Sequence, residues 1–223
     1  MSIRKSGSFI LLLFIWNSTL AQRKDFCSWT YINTQVKCNE RVSVGFNEHI
    51  LRNENATEWW MFIHDFSLNQ KITKNISQEY HVRLSNIKRN NNSFENRTSF
   101  YYILNGNWSK KQFYIALRSR WQAQAFENHW DDSFKGPFYY HRIKCTLGYR
   151  FNYTYKISVS EELFQPLNRP ERNFIDQHRT SLNLGMRINK HCSMDCFYQI
   201  QQSLGRTNPR IYFILGTGIN VTL

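Results

Sequence analysis

The chain has 223 residues and a mass of 26.9 kDa, enough for one sizeable domain. Charged residues make up 20% of it and the mean hydropathy is −0.57, which excludes a multi-helix membrane protein, while 16% aromatic residues exclude a disordered chain. With 29 Lys and Arg against 16 Asp and Glu the net charge is +13, so the protein is strongly basic.

The N-terminus has the three parts of a secretory signal peptide. Arg4 and Lys5 give a charged start, residues 9–16 are almost continuously apolar, and the small residue Ala21 ends the segment. This apolar run is far shorter than the roughly 20 residues that a membrane helix needs. We therefore predict a cleaved signal peptide over residues 1–21, with a buried N-terminal strand as the alternative.

Residues 22–223 are predicted to form one domain of β-strands, because apolar residues recur with period two and not with the helical period. In the segment Phe113–Gln122, for example, one face is apolar and the other carries Arg118 and Arg120. About eleven such segments occur, centred near Ile32, Gly45, Ile63, Val82, Tyr102, Leu117, Thr146, Val159, Asn183, Tyr198 and Gly216. A barrel with both ends on one side has an even number of strands, so ten or twelve are expected.

The connections between these segments alternate in length. Short turns are predicted near Asn39, Thr73, Lys110, Thr154 and Lys190. Longer polar connections are predicted near Asn53, Asn91, Asp131 and Arg169, with one of moderate length near Arg206. Tight turns on one side and longer loops on the other are typical of outer-membrane barrels.

Alternation alone does not tell a membrane barrel from a soluble one, since the apolar face meets lipid in the first and forms the core in the second. Three features favour the membrane barrel. Aromatic residues such as Trp121 and Tyr149 end the apolar faces, Arg with Gly and Ser occupies the other face, and the last strand ends in apolar Leu223. We therefore predict an all-β fold, an antiparallel transmembrane β-barrel of about 10–12 strands.

Particular residues within this pattern resemble a known family. They are Trp29, Glu48, Arg52, the triplets 118–120, 140–142 and 162–164, and Arg179 with Gly185. Nearly the whole chain after residue 22 is similar to a family of Gram-negative outer-membrane β-barrel proteins known only as a domain of unknown function. The resemblance implies a place in the bacterial outer membrane, in contact with its lipid and its assembly machinery. Five Cys and the basic balance depart from the family, and the resemblance brings no characterised activity.

Basic side chains concentrate on the polar face that would line the lumen. Eight are predicted there: Arg83, Arg118, Arg120, Arg142, Lys144, Arg150, Arg179 and Arg187. The carboxylates predicted as their partners are Glu48, Glu162 and Asp195. A confined lumen lined by positive charge favours a small anionic solute, whereas the structural alternative is that paired Arg side chains fill a narrow lumen. No nucleic-acid partner is expected, because the basic residues follow strand alternation and do not cluster.

Five Cys residues lie in a chain predicted to be exported, where disulfides are permitted. Cys38 and Cys192 lie near short turns on the same side of the predicted barrel, so a disulfide between them is one pairing that the sequence allows. Cys145 and Cys196 fall on the apolar face as small hydrophobic residues. His191 and its neighbouring Cys residues lack further zinc ligands, so neither a metal nor a cofactor is predicted.

The pattern favours a structural barrel or a small-solute channel with an Arg-rich, largely filled lumen. A lipid-modifying barrel enzyme, a deacylase or acyltransferase, is an alternative that needs a Ser, a His and an acid at one rim. The available residues are His64 with Asp65, His81, His141, Ser158 and Ser160. No G-x-S-x-G signature is present, and no catalytic residue is predicted. A soluble exported ligand-binding barrel resembling the lipocalins, with its apolar faces inward, is the other alternative.

Overall fold

The computed structural model of the protein describes five stretches of the chain. They are residues 23–89, 93–126, 137–168, 175–204 and 209–223. The predicted signal peptide lies outside the described residues. No helix in these stretches is long and apolar enough to cross a membrane.

Eleven strands make up the regular structure of the described stretches. They are β1 (Arg23–Lys37), β2 (Val42–Asn53), β3 (Glu58–Lys71), β4 (Ile76–Lys88), β5 (Phe94–Lys110), β6 (Phe113–Phe126), β7 (Phe138–Arg150), β8 (Tyr155–Pro166), β9 (Gln177–Arg187), β10 (Cys192–Ser203) and β11 (Arg210–Thr222). Each of the predicted segment centres falls within a different strand. The all-β fold is confirmed.

The strands form one closed barrel in which every consecutive pair is antiparallel. The closing pair, β1 with β11, is parallel, with Thr30 opposite Thr217. An odd number of alternating strands leaves the first and the last pointing the same way, and this explains the parallel seam. All eleven predicted segments are therefore strands in the structure. The described residues form an odd number of strands, whereas the general rule led us to expect an even number.

Connections at one end of the barrel, here called the turn side, have two to four residues, as between β5 and β6 or between β1 and β2. At the other end, the loop side, eleven residues separate β6 from β7 and ten separate β8 from β9, as predicted, whereas only five separate β4 from β5, where a longer connection was expected near Asn91. The prediction of a longer connection near Asn53 was wrong, because residues 54–57 form a four-residue turn. Positive φ angles at Glu54, Asn55 and Ala56 tighten this turn. The Asp25 carboxylate of β1 accepts hydrogen bonds from the Glu54 and Asn55 amides at 3.2 and 3.0 Å.

Side chains alternate between an apolar outer face and a polar lumen. On β3, Phe66 is 50% exposed on the outside while the adjacent Asp65 is 1% exposed on the inside. Exposed apolar residues on other strands continue the outer face, among them Ile32, Val82, Leu117, Ile143, Leu184 and Ile219. A soluble ligand-binding barrel has the opposite arrangement, with its apolar face inside. The structure therefore does not support the lipocalin-like alternative.

The lumen is crowded by its own side chains. Towards the loop side, Leu51, Met61, Ile63 and Ile87 form a buried cluster against which Trp29, Trp60 and Phe126 pack. Closer to the turn side, Gly216 and Gly218 of β11 leave room in the lumen for aromatic rings. A Cβ at either position would meet the ring of Phe197 or Tyr31 at 2.0 Å, so only glycine permits these rings to lie across the strand.

Candidate functional site in the lumen

Five basic residues of strands β6, β7 and β9, with β8 between the last two, form one surface of the lumen, here called the basic wall. They are Arg118, Arg120, Arg142, Lys144 and Arg179. Strand register places them in two adjacent rows. Arg118 is opposite Lys144 in one row, and Arg120 is opposite Arg142 in the next. Because inward residues of neighbouring strands stand about 5 Å apart, the pairing of β6 with β7 concentrates positive charge.

One carboxylate, Glu162 of β8, lies within the basic wall and is only 5% exposed. Its Oε1 accepts hydrogen bonds from Arg118 Nη2 at 2.6 Å and Arg142 Nη2 at 2.9 Å. Arg179 Nη1 lies 3.6 Å from Oε2. Glu162 therefore occupies the predicted place of an acidic partner in the lumen, and it holds three guanidinium groups of three different strands together.

Arg120 is the least satisfied cation of the basic wall. It is 4% exposed, and its guanidinium carbon lies 3.5 Å from the centre of the Tyr101 ring. Its Nε and Nη2 atoms are buried and have no hydrogen-bond partner among the described residues. Five cations against the single carboxylate of Glu162 leave a local excess of positive charge. This arrangement can bind an anion, because buried guanidinium donors without partners are costly and an anion would satisfy them.

A second cluster surrounds Asp65 of β3. Arg83 Nε donates to Asp65 Oδ2 at 2.7 Å, and His81 Nδ1 lies 2.7 Å from Oδ1. The Tyr101 hydroxyl also donates to this carboxylate. Arg83 was predicted in the lumen, but Asp65 was not named as its partner. The sequence alone could have placed Asp65 in the lumen. Apolar Phe66 belongs to the outer face, and adjacent residues of a strand point to opposite faces.

The remaining predicted lumen residues lie closer to the turn side. Arg150 stands over the ring of Tyr114 at 4.9 Å, and Arg187 stands over the ring of Tyr153 at 4.4 Å. Asp195 accepts hydrogen bonds from Tyr31 and Asn220 at 2.9 and 2.7 Å, and the Lys156 ammonium lies 4.0 Å away. These residues are inward-facing but separate from the basic wall.

Glu48 is a correction to the predicted set of lumen acids. It lies between Phe46 and Ile50, which are both exposed on the outer face, and so it shares that face. Its partner is His64 of β3, whose Nδ1 lies 2.7 Å from the Glu48 carboxylate. The strand pairing places Asn47, and not Glu48, opposite the buried Asp65.

The structure also corrects the predicted disulfide between Cys38 and Cys192, because all five cysteines are free. Cys192 is opposite Val221 of β11, and Val221 is opposite Thr34 of β1. Thr34 precedes Cys38 by four residues, so the two cysteines are two strands apart, about 10 Å, and also displaced along the barrel. A disulfide needs Cα atoms within about 7 Å.

The residues considered for catalysis do not meet in one place. Ser158 and Ser160 of β8 are on the lumen face with Glu162, whereas His141 lies between the exposed Tyr139 and Ile143 on the outer face. His81 belongs to the Asp65 cluster. Within the described stretches, no group of His, Cys, Asp and Glu has the arrangement of a metal site.

Two cavities of about 470 and 570 Å³ open at the turn side. Their walls carry basic residues from many strands and turns: Lys37, Arg41, Lys71, Lys74, Lys111, Arg150, Lys156, Arg187 and Lys190. Glu40 and Glu79 are the acids in these walls. Positive charge therefore extends from the basic wall to the turn-side mouth of the barrel.

A closed barrel with an apolar outer face and a charged lumen defines a porin-like β-barrel protein. Comparison with solved structures agrees: the fold is similar to one described as "NanC porin structure in rhombohedral crystal form", with a TM-score of 0.51 and 11% identity over 79% of this chain and 86% of that chain. The chain belongs to the family described as "Protein of unknown function (DUF2490)", which matches residues 26–212. The family resemblance is thus confirmed. Among curated proteins, none matches significantly.

Proposed function

We propose that this protein is an outer-membrane channel for small anions, with a lumen that is narrowed by its own side chains. The observation that carries the proposal is the basic wall, where the buried Arg120 guanidinium keeps donors without partners. A ring or wall of one charge in a confined lumen selects ions of the opposite sign. The basic residues of the turn-side cavities would raise the local anion concentration at that mouth.

Placement in the outer membrane is supported by the outer face. Most of its exposed side chains are apolar from β1 to β11, with a few charged ones such as Glu48 and Glu161 among them. Aromatic residues such as Trp108, Phe113 and Tyr155 stand towards the turn side. Aromatic girdles at the edges of an apolar band are typical of outer-membrane barrels. The predicted signal peptide and the contacts with lipid and with the assembly machinery belong to this proposal.

The crowded lumen limits the size of the solute. The apolar cluster around Leu51 and Ile63 narrows the lumen towards the loop side, and Arg120 packs over Tyr101 at its middle. A barrel of this strand number has an interior that side chains can largely fill. We therefore propose a small inorganic or carboxylate anion as the solute.

The test is ion selectivity in planar lipid bilayers. The refolded protein is inserted, and the reversal potential is measured across a KCl gradient. We expect it to lie towards the chloride equilibrium potential. The double variant Arg120→Gln with Arg142→Gln should shift it towards zero, because it removes two buried positive charges from the basic wall.

The control is Arg150→Gln with Arg187→Gln, which removes the same charge from the more exposed turn-side rim. Screening by salt weakens the effect of such exposed charges. The reversal potential of this control should therefore shift much less than that of the Arg120 and Arg142 variant. Potassium selectivity of the unaltered protein would contradict the proposal. A correctly folded barrel without conductance would support the purely structural function instead.

A further inference from the structure

Ser119 of β6 and His141 of β7 form a hydrogen-bonded pair on the outer face of the barrel. Ser119 Oγ lies 2.8 Å from His141 Nε2. Ser119 stands between the exposed Leu117 and Trp121, so the pair faces away from the lumen. A hydroxyl within hydrogen-bond reach of an imidazole is the arrangement in which the imidazole activates an oxygen nucleophile.

One aromatic neighbour holds the imidazole in place. The ring of Trp121 stacks on the ring of His141, with centroids 5.0 Å apart and an angle of 19° between the planes. Gln165 of β8 is directly opposite His141, so it lies on the same outer face. A serine hydroxyl hydrogen-bonded to an imidazole that is held in place is the central feature of a Ser–His catalytic site.

An apolar groove on the outer face ends beside this pair: Trp121, whose ring stacks on His141, lines it, whereas Ser119 and His141 themselves lie just beyond its wall. The groove has a volume of about 1000 Å³, and most of its wall is apolar outward side chains. One row of cross-strand neighbours runs along it: Val36, Val44, Leu68, Tyr80, Tyr102 and Trp121. The next cross-strand neighbour in this row is His141 itself. The five spacings between its six strands, at about 4.8 Å each, give the row a length of roughly 24 Å, enough for a fatty-acyl chain.

We propose that Ser119 and His141 hydrolyse acyl esters of membrane lipids, with the acyl chain lying in this groove. The substrate class follows from the position, because an outer-face site beside an apolar groove meets lipid and not a solute in the lumen. His141 is the fourth residue of β7 from its loop-side end, which places it near the rim and within reach of water. The activity is additional to the proposed channel and uses none of the residues of the basic wall.

In the first step, Ser119 Oγ attacks the ester carbonyl carbon while His141 Nε2 accepts the hydroxyl proton. The carbon–oxygen bond to the alcohol breaks, and His141 returns the proton to the leaving alkoxide. An acyl–serine remains. Water then attacks the acyl carbon with His141 accepting its proton, and the proton passes back to Ser119 as the fatty acid leaves. The net reaction is ester plus water to carboxylic acid plus alcohol.

The experiment uses the refolded full barrel and a long-chain alkyl fluorophosphonate. Attack by Ser119 forms an oxygen–phosphorus bond and expels fluoride, so the peptide that contains Ser119 gains the mass of the phosphonyl group. Release of fatty acid from phosphatidylethanolamine vesicles is measured in parallel. We expect both signals for the unaltered protein, none for Ser119→Ala, and a loss of about 100-fold or more for His141→Asn.

The matched control is His64→Asn. His64 is another outer-face histidine, but its partner is the Glu48 carboxylate and not a hydroxyl. This variant should keep both labelling and hydrolysis. Folding of every variant is checked by its electrophoretic mobility without boiling. If the folded protein shows neither labelling nor fatty acid release, or if Ser119→Ala retains them, the proposal is overturned. Anion conductance of the same preparation tests the channel separately.

Discussion

Glu162 is the residue on which the order of the basic wall depends. Its carboxylate contacts Arg118, Arg142 and Arg179, which come from both neighbouring strands and from the strand beyond. Removing one partner of a buried ion pair leaves the other charges without compensation, and this costs more than the pair itself contributes. The wall is therefore predicted to be stable only while this single negative charge is present.

The variant Glu162→Gln tests this dependence. We expect the free energy of unfolding to fall by about 3 kcal/mol, since three buried guanidinium groups lose their carboxylate. The measurement is urea unfolding of the refolded barrel in lipid vesicles, followed by tryptophan fluorescence.

The adjacent residue provides the matched control. Glu161 has the same side chain on the same strand but faces outward, where it pairs with His178 at 2.5 Å. Glu161→Gln should leave the free energy of unfolding unchanged or raise it, because it removes a charge from the face that we propose to meet lipid. Equal losses in the two variants would show that Glu162 has no special part in holding the basic wall.

At the scale of elements, the parallel seam between β1 and β11 is the feature that closes the barrel. Thr30 and Thr217 are opposite each other across it. With all native cysteines replaced by alanine, Thr30→Cys combined with Thr217→Cys should form a disulfide on mild oxidation, because neighbouring strands are about 4.8 Å apart. Mass spectrometry of the digested protein identifies the linked peptides.

A second cysteine pair serves as the control for register. Thr30→Cys with Val221→Cys places both thiols on the outer face, but Val221 is opposite Thr34. The four-residue offset separates the pair by about 13 Å, which is too far for a disulfide. Cross-linking of this second pair in preference to the first would mean that the seam has a different register or direction.

Strands were predictable from the sequence because period-two alternation is a local property. Which strands become neighbours across the seam is not local, and this explains the error at Cys38 and Cys192: β11 lies between their strands. The four-residue turn after β2 was also not predictable from its polar composition. It depends on Asp25, about thirty positions earlier, which the barrel brings to the turn.

The wrong face for Glu48 and the omission of Asp65 both concern the phase of a strand. Adjacent residues of a strand point to opposite faces, so an error of one position exchanges lumen and outer face. The exposed Phe46 and Phe66 identify the correct phase on β2 and β3. The basic residues were placed on the lumen side more readily, because Arg118, Arg120 and their neighbours repeat along one face.

At the scale of the whole molecule, polar and apolar residues have an inside-out arrangement, with charged side chains in the lumen and apolar ones on the outer face. Exposed apolar residues on strands from β1 to β11 favour contact with lipid, since apolar patches of this extent are unfavourable in water. The same arrangement places the charged residues in the lumen, where the channel proposal needs them. The channel and the placement of the lipid-facing Ser–His pair therefore require that the outer face contact lipid.

The most direct test of this central claim is electrophoresis of isolated outer membranes, with boiled and unboiled samples compared side by side. A closed barrel embedded in lipid resists detergent until it is heated, so we predict that the protein is found in the outer-membrane fraction and changes its mobility on boiling. Recovery of the protein in the soluble periplasmic fraction, with one mobility before and after boiling, would contradict the account.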